Sequence, residues 1–231
     1  MYLMARSIAA FDIDGTLSRS FLLGELMEEL VRRGVLPPIA AKHFASAKEK
    51  YEQSGAGIDA YIDKTVEAFA KYGKGVPYGE VADIAGEIIE AKKDYVFRYT
   101  RDLVRELKDE GYFLLAVSRS PKFIVDGFGY ELGFDKSYGI FFETGASGRF
   151  TGDIVDEHII FNKGAVLQRA VKKEKLSFTN SIAVGDSESD IPMLELVDEA
   201  IAFNPTKRLL KHARQHEWRV VVEVKDAVLE A

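Results

Sequence analysis

Four short runs, 8–11, 113–117, 181–184 and 200–203, are apolar at consecutive positions, save for Ser181 at the start of the third. Hydrophobicity that neither alternates nor follows a helical period, bounded by turn residues, predicts strands buried on both faces, as in a parallel sheet covered by helices. A fifth run, 219–222, is weaker and predicts an edge strand. Between the runs the apolar period becomes helical. Val96, Leu103, Val104 and Leu107 fall on one side of 94–110, and Val166, Leu167, Ala170 and Val171 on one side of 163–174. This alternation predicts the α/β class with a doubly wound, mainly parallel sheet.

The first and second runs are separated by about a hundred residues, whereas a crossover between parallel strands needs only a dozen or so. An insertion is therefore expected. Residues 18–93 are mostly of helical pattern, over 21–33, from Pro37-Pro38 to Tyr51, over 58–72 and over 78–93, with glycine-rich joints at 55–57 and 73–79. The expected division is a core of 1–17 and 94–231 and a helical cap of 18–93. Because the insertion leaves directly after the first strand, it is expected to lie over the strand ends as a lid that excludes water. Residues 138–142 and 149–154, joined through Gly145-Ala146-Ser147-Gly148, predict a β-hairpin with no catalytic role.

At 231 residues and 47% hydrophobic content the chain is long enough for one core and a smaller second unit. The net charge of −6 excludes the basic stripe that nucleic-acid backbones require. It also means that an anionic substrate must be held by a local device. No cysteine is present, so thiolate metal sites and disulfides are excluded, and a cytoplasmic location is the simplest expectation. No window is apolar enough for a membrane span, so no membrane partner is expected. The oligomeric state is not legible.

Candidate chemistry begins where the first strand ends. Asp12 and Asp14 stand two apart and so point to one side of an extended chain. Adjacent acids are costly unless a cation or a shared proton relieves them. The bland alternative is a strand followed by an Asp-Gly turn. Three further features favour chemistry: Ser118 at the end of the second run, Lys163 opening a helix, and Gly185-Asp186-Ser187-Glu188-Ser189-Asp190 after the third run. In open α/β sheets ligands bind beyond the carboxyl ends of the strands.

Asp12, Asp14 and Asp186 would make a hard oxygen site suited to Mg²⁺. Asp12 then has the means to act as a nucleophile on phosphorus, and Asp14 as acid and base. Ser118, with the amides of a helix expected to start at Ser120-Pro121, offers donors to a phosphate; alone it would be an N-cap. Lys163 would neutralise transition-state charge, the alternative being a solvated lysine. Asp190 would hold Lys163 or cap the helix opening at Ile191-Pro192. Arg119 is a candidate phosphate-binding residue, and Arg19, Lys48 and Arg119 are candidate substrate contacts. His212 and His216, four apart, have no acidic partner motif in the sequence and predict an exposed helix face; His43 and His158 are isolated.

The ordered set Asp12-Ile13-Asp14-Gly15-Thr16, Ser118, Lys163 and 185–190 resembles the haloacid dehalogenase superfamily of phosphohydrolases, in particular its phosphoserine phosphatase-like branch. Thr151-Gly152-Asp153-Ile154, Asn162-Lys163-Gly164 and Ala202-Phe203-Asn204-Pro205 are also similar to that branch, so nearly the whole chain is covered. The resemblance implies a Rossmann-like core with an inserted helical cap and Mg²⁺-dependent phosphatase chemistry. It implies that Asp12 is nucleophile and metal ligand, that Asp14 is acid/base and binds metal through its backbone carbonyl, and that Asp186 is the other metal ligand. Ser118 and Lys163 would hold the phosphoryl group, supported by Asp190.

Four positions depart from true phosphoserine phosphatases. Phe21 stands where a glutamate reads the serine amine, and 63–65 (Asp-Lys-Thr) where a cap arginine reads the carboxylate. The second motif is Ser118-Arg119-Ser120 rather than Ser-Gly-Gly, and Ser189 replaces an asparagine. The expectation is therefore a phosphomonoester hydrolase for a small phosphorylated metabolite, with phosphoserine not assigned. A phosphotransferase using the same aspartyl phosphate and a phospho-signalling receiver module are the alternatives.

Overall fold

The computed structural model of the chain describes residues 5–54, 58–156, 160–224 and 227–230. The glycine joint at 55–57 and His158 lie outside the described residues. The consecutive apolar runs form the centre of an eight-stranded sheet. Its strands are β1 (Ser7–Phe11), β2 (Phe113–Pro121), β3 (Lys136–Thr144), β4 (Phe150–Val155), β5 (Ser177–Gly185), β6 (Glu199–Phe203), β7 (Arg219–Val224) and β8 (Ala227–Glu230). The order is β4-β3-β2-β1-β5-β6-β7-β8, with β4 and β8 antiparallel at the two edges and the rest parallel.

The chain winds outward from β1 in both directions, so the strand order reverses there. Phe11 registers with Ala116 of β2 and with Val184 of β5. The residues immediately following, Asp12, Val117-Ser118 and Gly185-Asp186, are thereby delivered to one crevice. This is the doubly wound sheet expected from the burial pattern, and Ile8, Ala9, Ala10 and Phe11 are fully buried at its middle.

Two sheet assignments differ from expectation. The run at 219–222 is an inner strand, because β7 is bounded by β6 on one side and β8 on the other. The edge falls to β8, whose four residues are too short to stand out as a run. The hairpin at 138–142 and 149–154 exists, but its first strand also continues the parallel sheet, with Lys136 opposite Leu115.

Between β1 and β2 lie α1 (Leu22–Arg32), α2 (Pro38–Ser54), α3 (Ile58–Tyr72) and α4 (Tyr78–Lys92), the helical cap. Leu22, Leu23, Leu26, Met27 and Leu30 of α1 pack with Tyr61, Ile62, Val66 and Phe69 of α3, all buried. The helix predicted over 94–110 begins only at Arg98, as α5 (Arg98–Asp109). Residues 95–97 are instead drawn into pairing with the outgoing chain: Phe97 donates to the Leu17 carbonyl (2.9 Å) and Arg19 to the Tyr95 carbonyl (3.1 Å). The two connections between core and cap therefore run side by side.

The β3–β4 hairpin fastens the cap's far end. Gly75 donates to Phe150 and Tyr78 to Gly148, each at 2.8 Å, and the Phe69 ring meets Phe142 and Phe150 at 4.6 and 5.2 Å between centroids. The remaining helices are α6 (Lys122–Leu132), α7 (Lys163–Glu174), the short α8 (Ile191–Leu194) and α9 (Lys207–Gln215). Among the described residues no helix is long and apolar enough to cross a membrane.

Candidate active site

The chain leaves β1 through Asp12, whose amide donates to the Val184 carbonyl of β5 (2.9 Å). Asp12 therefore sits at the sheet's central seam and is only 4% exposed. Its Oδ1 accepts from Lys163 Nζ (2.5 Å), and its Oδ2 lies 3.3 Å from the Thr16 hydroxyl. Thr16 also reaches Asp186 Oδ1 at 3.4 Å. Gly15, at φ +91°, makes this closeness possible, since a Cβ there would stand 2.5 Å from Asp186 Oδ2.

Asp14 has partners distinct from those of Asp12. Its Oδ1 accepts from the amide of Leu22, at the start of α1 (2.8 Å). Its Oδ2 accepts from the hydroxyls of Ser118 (2.7 Å) and Ser120 (2.9 Å). Ser120 is thus an unforeseen member of the site, and its amide donates to the Ser118 hydroxyl (2.8 Å). The helix expected to begin there starts at Lys122 instead, because Pro121 remains in β2, opposite Ile140.

Lys163 opens α7 behind the N-cap Asn162, whose Oδ1 accepts from the Ala165 amide (3.0 Å). A cation at a helix N-terminus is disfavoured by the dipole. Here it is buried between two carboxylates, Asp12 and Asp190. Burial works against its charge, but those two anions outweigh it and raise the Lys163 pKa. Asp190 serves twice: one oxygen meets Lys163, and the other accepts the amides of Asp186 and Ser187, each at 3.0 Å. Its carboxylate closes a capping box with Ser187 and makes no side-chain cap bond to the helix that follows it.

Asp12, Asp186 and Asp190 offer carboxylate oxygens within 4.8 Å of one another. Both oxygens of Asp190 are engaged, one by Lys163 and the other by two amides, whereas Lys163 takes only Oδ1 of Asp12, so Asp12 and Asp186 are the pair with oxygens left for a cation. A donor set of oxygens alone, without sulfur or imidazole, fits a hard ion such as Mg²⁺. Burial pushes Asp12 up to about 7, against the pull of Lys163 and helped by Asp190 and Asp14. Asp186 is raised well above the usual carboxylate range by burial and by Asp12. Asp14 is raised by burial, moderated by the three hydrogen bonds it accepts.

Arg119 follows a different course from the phosphate contact expected of it. Its guanidinium crosses to α3, bonding Asp63 Oδ1 (2.8 Å) and Asp59. The structure therefore joins core to cap through this residue. Arg19 and Lys48 line a cavity beside Asp14 and Gly15, together with Phe21, Glu25 and Glu28 of the α1 region. The two glutamates follow Phe21 by four and seven residues, a helical spacing from which their common face was readable. His212 and His216 do acquire an acidic neighbour that the sequence did not bring near them, Glu195, 3.1 Å from His212 Nε2, on a largely exposed face.

The haloacid dehalogenase-like hydrolase family model matches residues 9–195, spanning β1 to α8. Among similar proteins is a histidinol-phosphatase of Neisseria meningitidis, 26% identical over 226 residues that cover 94% of this chain and 98% of that one. A phosphoserine phosphatase of Archaeoglobus fulgidus is 28% identical over 89% of this chain and 54% of its own length. Among solved structures, a protein of unknown function from Bordetella pertussis superposes with a TM-score of 0.74 at 23% identity, covering 94% of this chain and 98% of that one. A phosphoserine phosphatase solved as a phospho-aspartyl intermediate analogue gives 0.64 at 23% identity, covering 96% and 95%. The chain belongs to the haloacid dehalogenase-like hydrolase family, within which it is phosphoserine phosphatase-like.

Proposed function

We propose that this chain is a Mg²⁺-dependent phosphomonoesterase that acts on a small phosphorylated metabolite through a phosphoryl group carried transiently on Asp12. The observation that carries the reading is the pairing of Asp12 with Lys163 at the sheet's switch point, with Asp186 and Asp190 gathered around it. Asp12 and Asp186, with the Asp14 backbone carbonyl, are the groups that would hold the ion. Mg²⁺ there would supply positive charge that offsets the repulsion between a carboxylate and a phosphate dianion.

The chain's own residues account for the rest. Asp12 Oδ attacks phosphorus and the P–O bond to the leaving alcohol breaks, giving an aspartyl phosphate and an alkoxide that takes its proton from Asp14. Asp14 is suited to carry that proton because burial raises its pKa. Water then attacks the phosphorus, Asp14 recovers a proton from it, and the P–O bond to Asp12 breaks, freeing phosphate and restoring the Asp12 carboxylate. Lys163 and the Ser118 hydroxyl hold the non-bridging oxygens, and Asp190 keeps Lys163 in place. Arg119, bound to Asp59 and Asp63, serves as a clasp between cap and core.

The relatives named for histidinol phosphate and phosphoserine support a small-metabolite substrate. Release of inorganic phosphate from p-nitrophenyl phosphate tests the reading. It should require Mg²⁺, stop with EDTA and be lost in Asp12→Asn; activity in the Asp12→Asn protein equal to the wild type would overturn it.

A further inference from the structure

Beside Asp14 and Gly15, under the cap, lies a cavity of about 390 Å³. That is at the small end of ligand sites, and its wall includes Asp14, the residue that protonates the leaving alcohol in the reading above. Its charges are not balanced. Besides Asp14, which is held by the Leu22 amide and two serine hydroxyls, three carboxylates, Glu25, Glu28 and Glu52, face two lysines, Lys48 and Lys92. Lys92 Nζ is held by Glu25 at 2.8 Å. Lys48 is bound to Glu28, with Glu52 further off at 3.6 Å. The third cation on the wall, Arg19, is taken by the buried Glu223, donates to the Val96 carbonyl (3.0 Å) and lies over the Phe97 ring. Each cation of the wall thus has its carboxylate, and Glu28 and Glu52 share a single lysine, which leaves the three glutamates with one negative charge in surplus.

The rest of the wall is aromatic. Phe21 meets Tyr61 edge-on at 5.0 Å between centroids, and the Tyr51 ring faces Tyr61 at 6.1 Å with 30° between their planes. Gly24 makes room for this cluster, since a Cβ there would stand 2.6 Å from the Tyr61 hydroxyl. Burial and the neighbouring glutamates hold the Tyr61 hydroxyl in its neutral form. Ring faces next to surplus carboxylate attract an ammonium or imidazolium group by both cation–π and Coulomb interaction.

Resting on the phosphatase reading above, we propose that the cavity selects phosphomonoesters whose leaving alcohol carries a cationic nitrogen and no carboxylate. A carboxylate on the alcohol would enter a wall whose cations are already paired and whose remaining charge repels it. Phosphoserine, bearing both groups, falls in the disfavoured class. Phe21 removes the glutamate expected at its own position, and Glu25, Glu28 and Glu52 restore acidity further along the cap without a matching cation for a carboxylate.

The test is a set of kcat/KM values with Mg²⁺ for histidinol phosphate, phosphoethanolamine, phosphoserine, glycerol phosphate and p-nitrophenyl phosphate. The first two should exceed phosphoserine by at least about tenfold, with glycerol phosphate between them. Glu52 is exposed on α2, so its replacement should not disturb folding. Glu52→Gln should lower the ratio of phosphoethanolamine to p-nitrophenyl phosphate by about fivefold, a loss of order 1 kcal/mol. Glu52→Lys should turn the preference toward phosphoserine. Phosphoserine or glycerol phosphate matching the amine esters, or an unchanged ratio in Glu52→Gln, overturns the proposal while p-nitrophenyl phosphate turnover leaves the phosphatase reading standing. No hydrolysis of any ester removes that reading, and the proposal with it.

Discussion

Replacing Asp12 by asparagine should do two opposite things: abolish turnover and stabilise the metal-free protein in neutral and alkaline solution. Asp12 has an ordinary pKa of 3.8 when unfolded and is raised to about 7 in the fold, chiefly by burial. Between those values the folded chain binds a proton that the unfolded chain does not. Stability therefore falls as pH rises through that window and is lowest above about 7. At about 1.4 kcal/mol per unit, three units amount to about 4 kcal/mol. For a chain of this size that corresponds to a Tm difference of about 8–16 °C.

Asparagine has nearly the same shape and no charge to lose, so Asp12→Asn should largely escape the decline. Removing the repulsion of Asp12 on Asp186 works in the same direction. The assay is thermal or urea unfolding of both proteins in EDTA at pH 5 and pH 8. The gap in favour of Asp12→Asn should already be present at pH 5 and widen by about 3 kcal/mol at pH 8, because about two units of the window lie between them. If Lys163 instead dominated, Asp12 would behave as a salt-bridged carboxylate, ionised in both states above about pH 5, and the gap between the two proteins would not change from pH 5 to pH 8. That result would refute the dominance of burial over the ion pair.

Gly15→Ala places a Cβ against Asp186 at a φ of +91°, so phosphatase activity should fall by at least about a hundredfold with a modest loss of Tm; kinetics alongside calorimetry check it. Ser118→Ala takes away one of the hydrogen bonds that moderate Asp14, and the Asp14 pKa should rise further. The pH profile of the residual kcat/KM should then shift toward higher pH, and an unmoved profile would separate Ser118 from Asp14. Arg119→Ala removes the contact with Asp59 and Asp63, which are one-third and one-half exposed, so stability should fall by only about 1–2 kcal/mol. Limited proteolysis should become faster at the core–cap connections around 18–20 and 95–97.

Legibility of the fold followed the strength of its periodic signal. The β1, β2, β5 and β6 runs are buried on both faces and so are continuous in sequence, which is why they stood out. β8 is four residues long and acquires its role only by pairing with β7, a contact no local pattern encodes. The start of α5 was misplaced because Tyr95 to Phe97 carry helix-compatible residues, while pairing of the two cap connections holds them extended.

In the site, Asp12, Lys163, Asp186 and Asp190 were legible from their positions at strand ends and at a helix start, and the structure brings them together. Ser120 was missed as an Asp14 partner because Ser-Pro carries a strong helix-start signal that here is displaced by two residues. Arg119 was a candidate phosphate and substrate contact, named without a pattern to carry it. Its partners Asp59 and Asp63 come from the cap, about sixty residues away, and only the packing of α3 over β2 reveals them.

The central claim is that Asp12 itself carries the phosphoryl group. Acid quenching of the protein during turnover with Mg²⁺ and a good phosphomonoester, followed by peptide mass spectrometry, addresses it directly. The account predicts a phosphorylated peptide whose modification maps to Asp12 and which is absent from Asp12→Asn. A phosphoryl group mapped to Asp14 or Asp186, or wild-type rates of phosphate release from the Asp12→Asn protein, would contradict it.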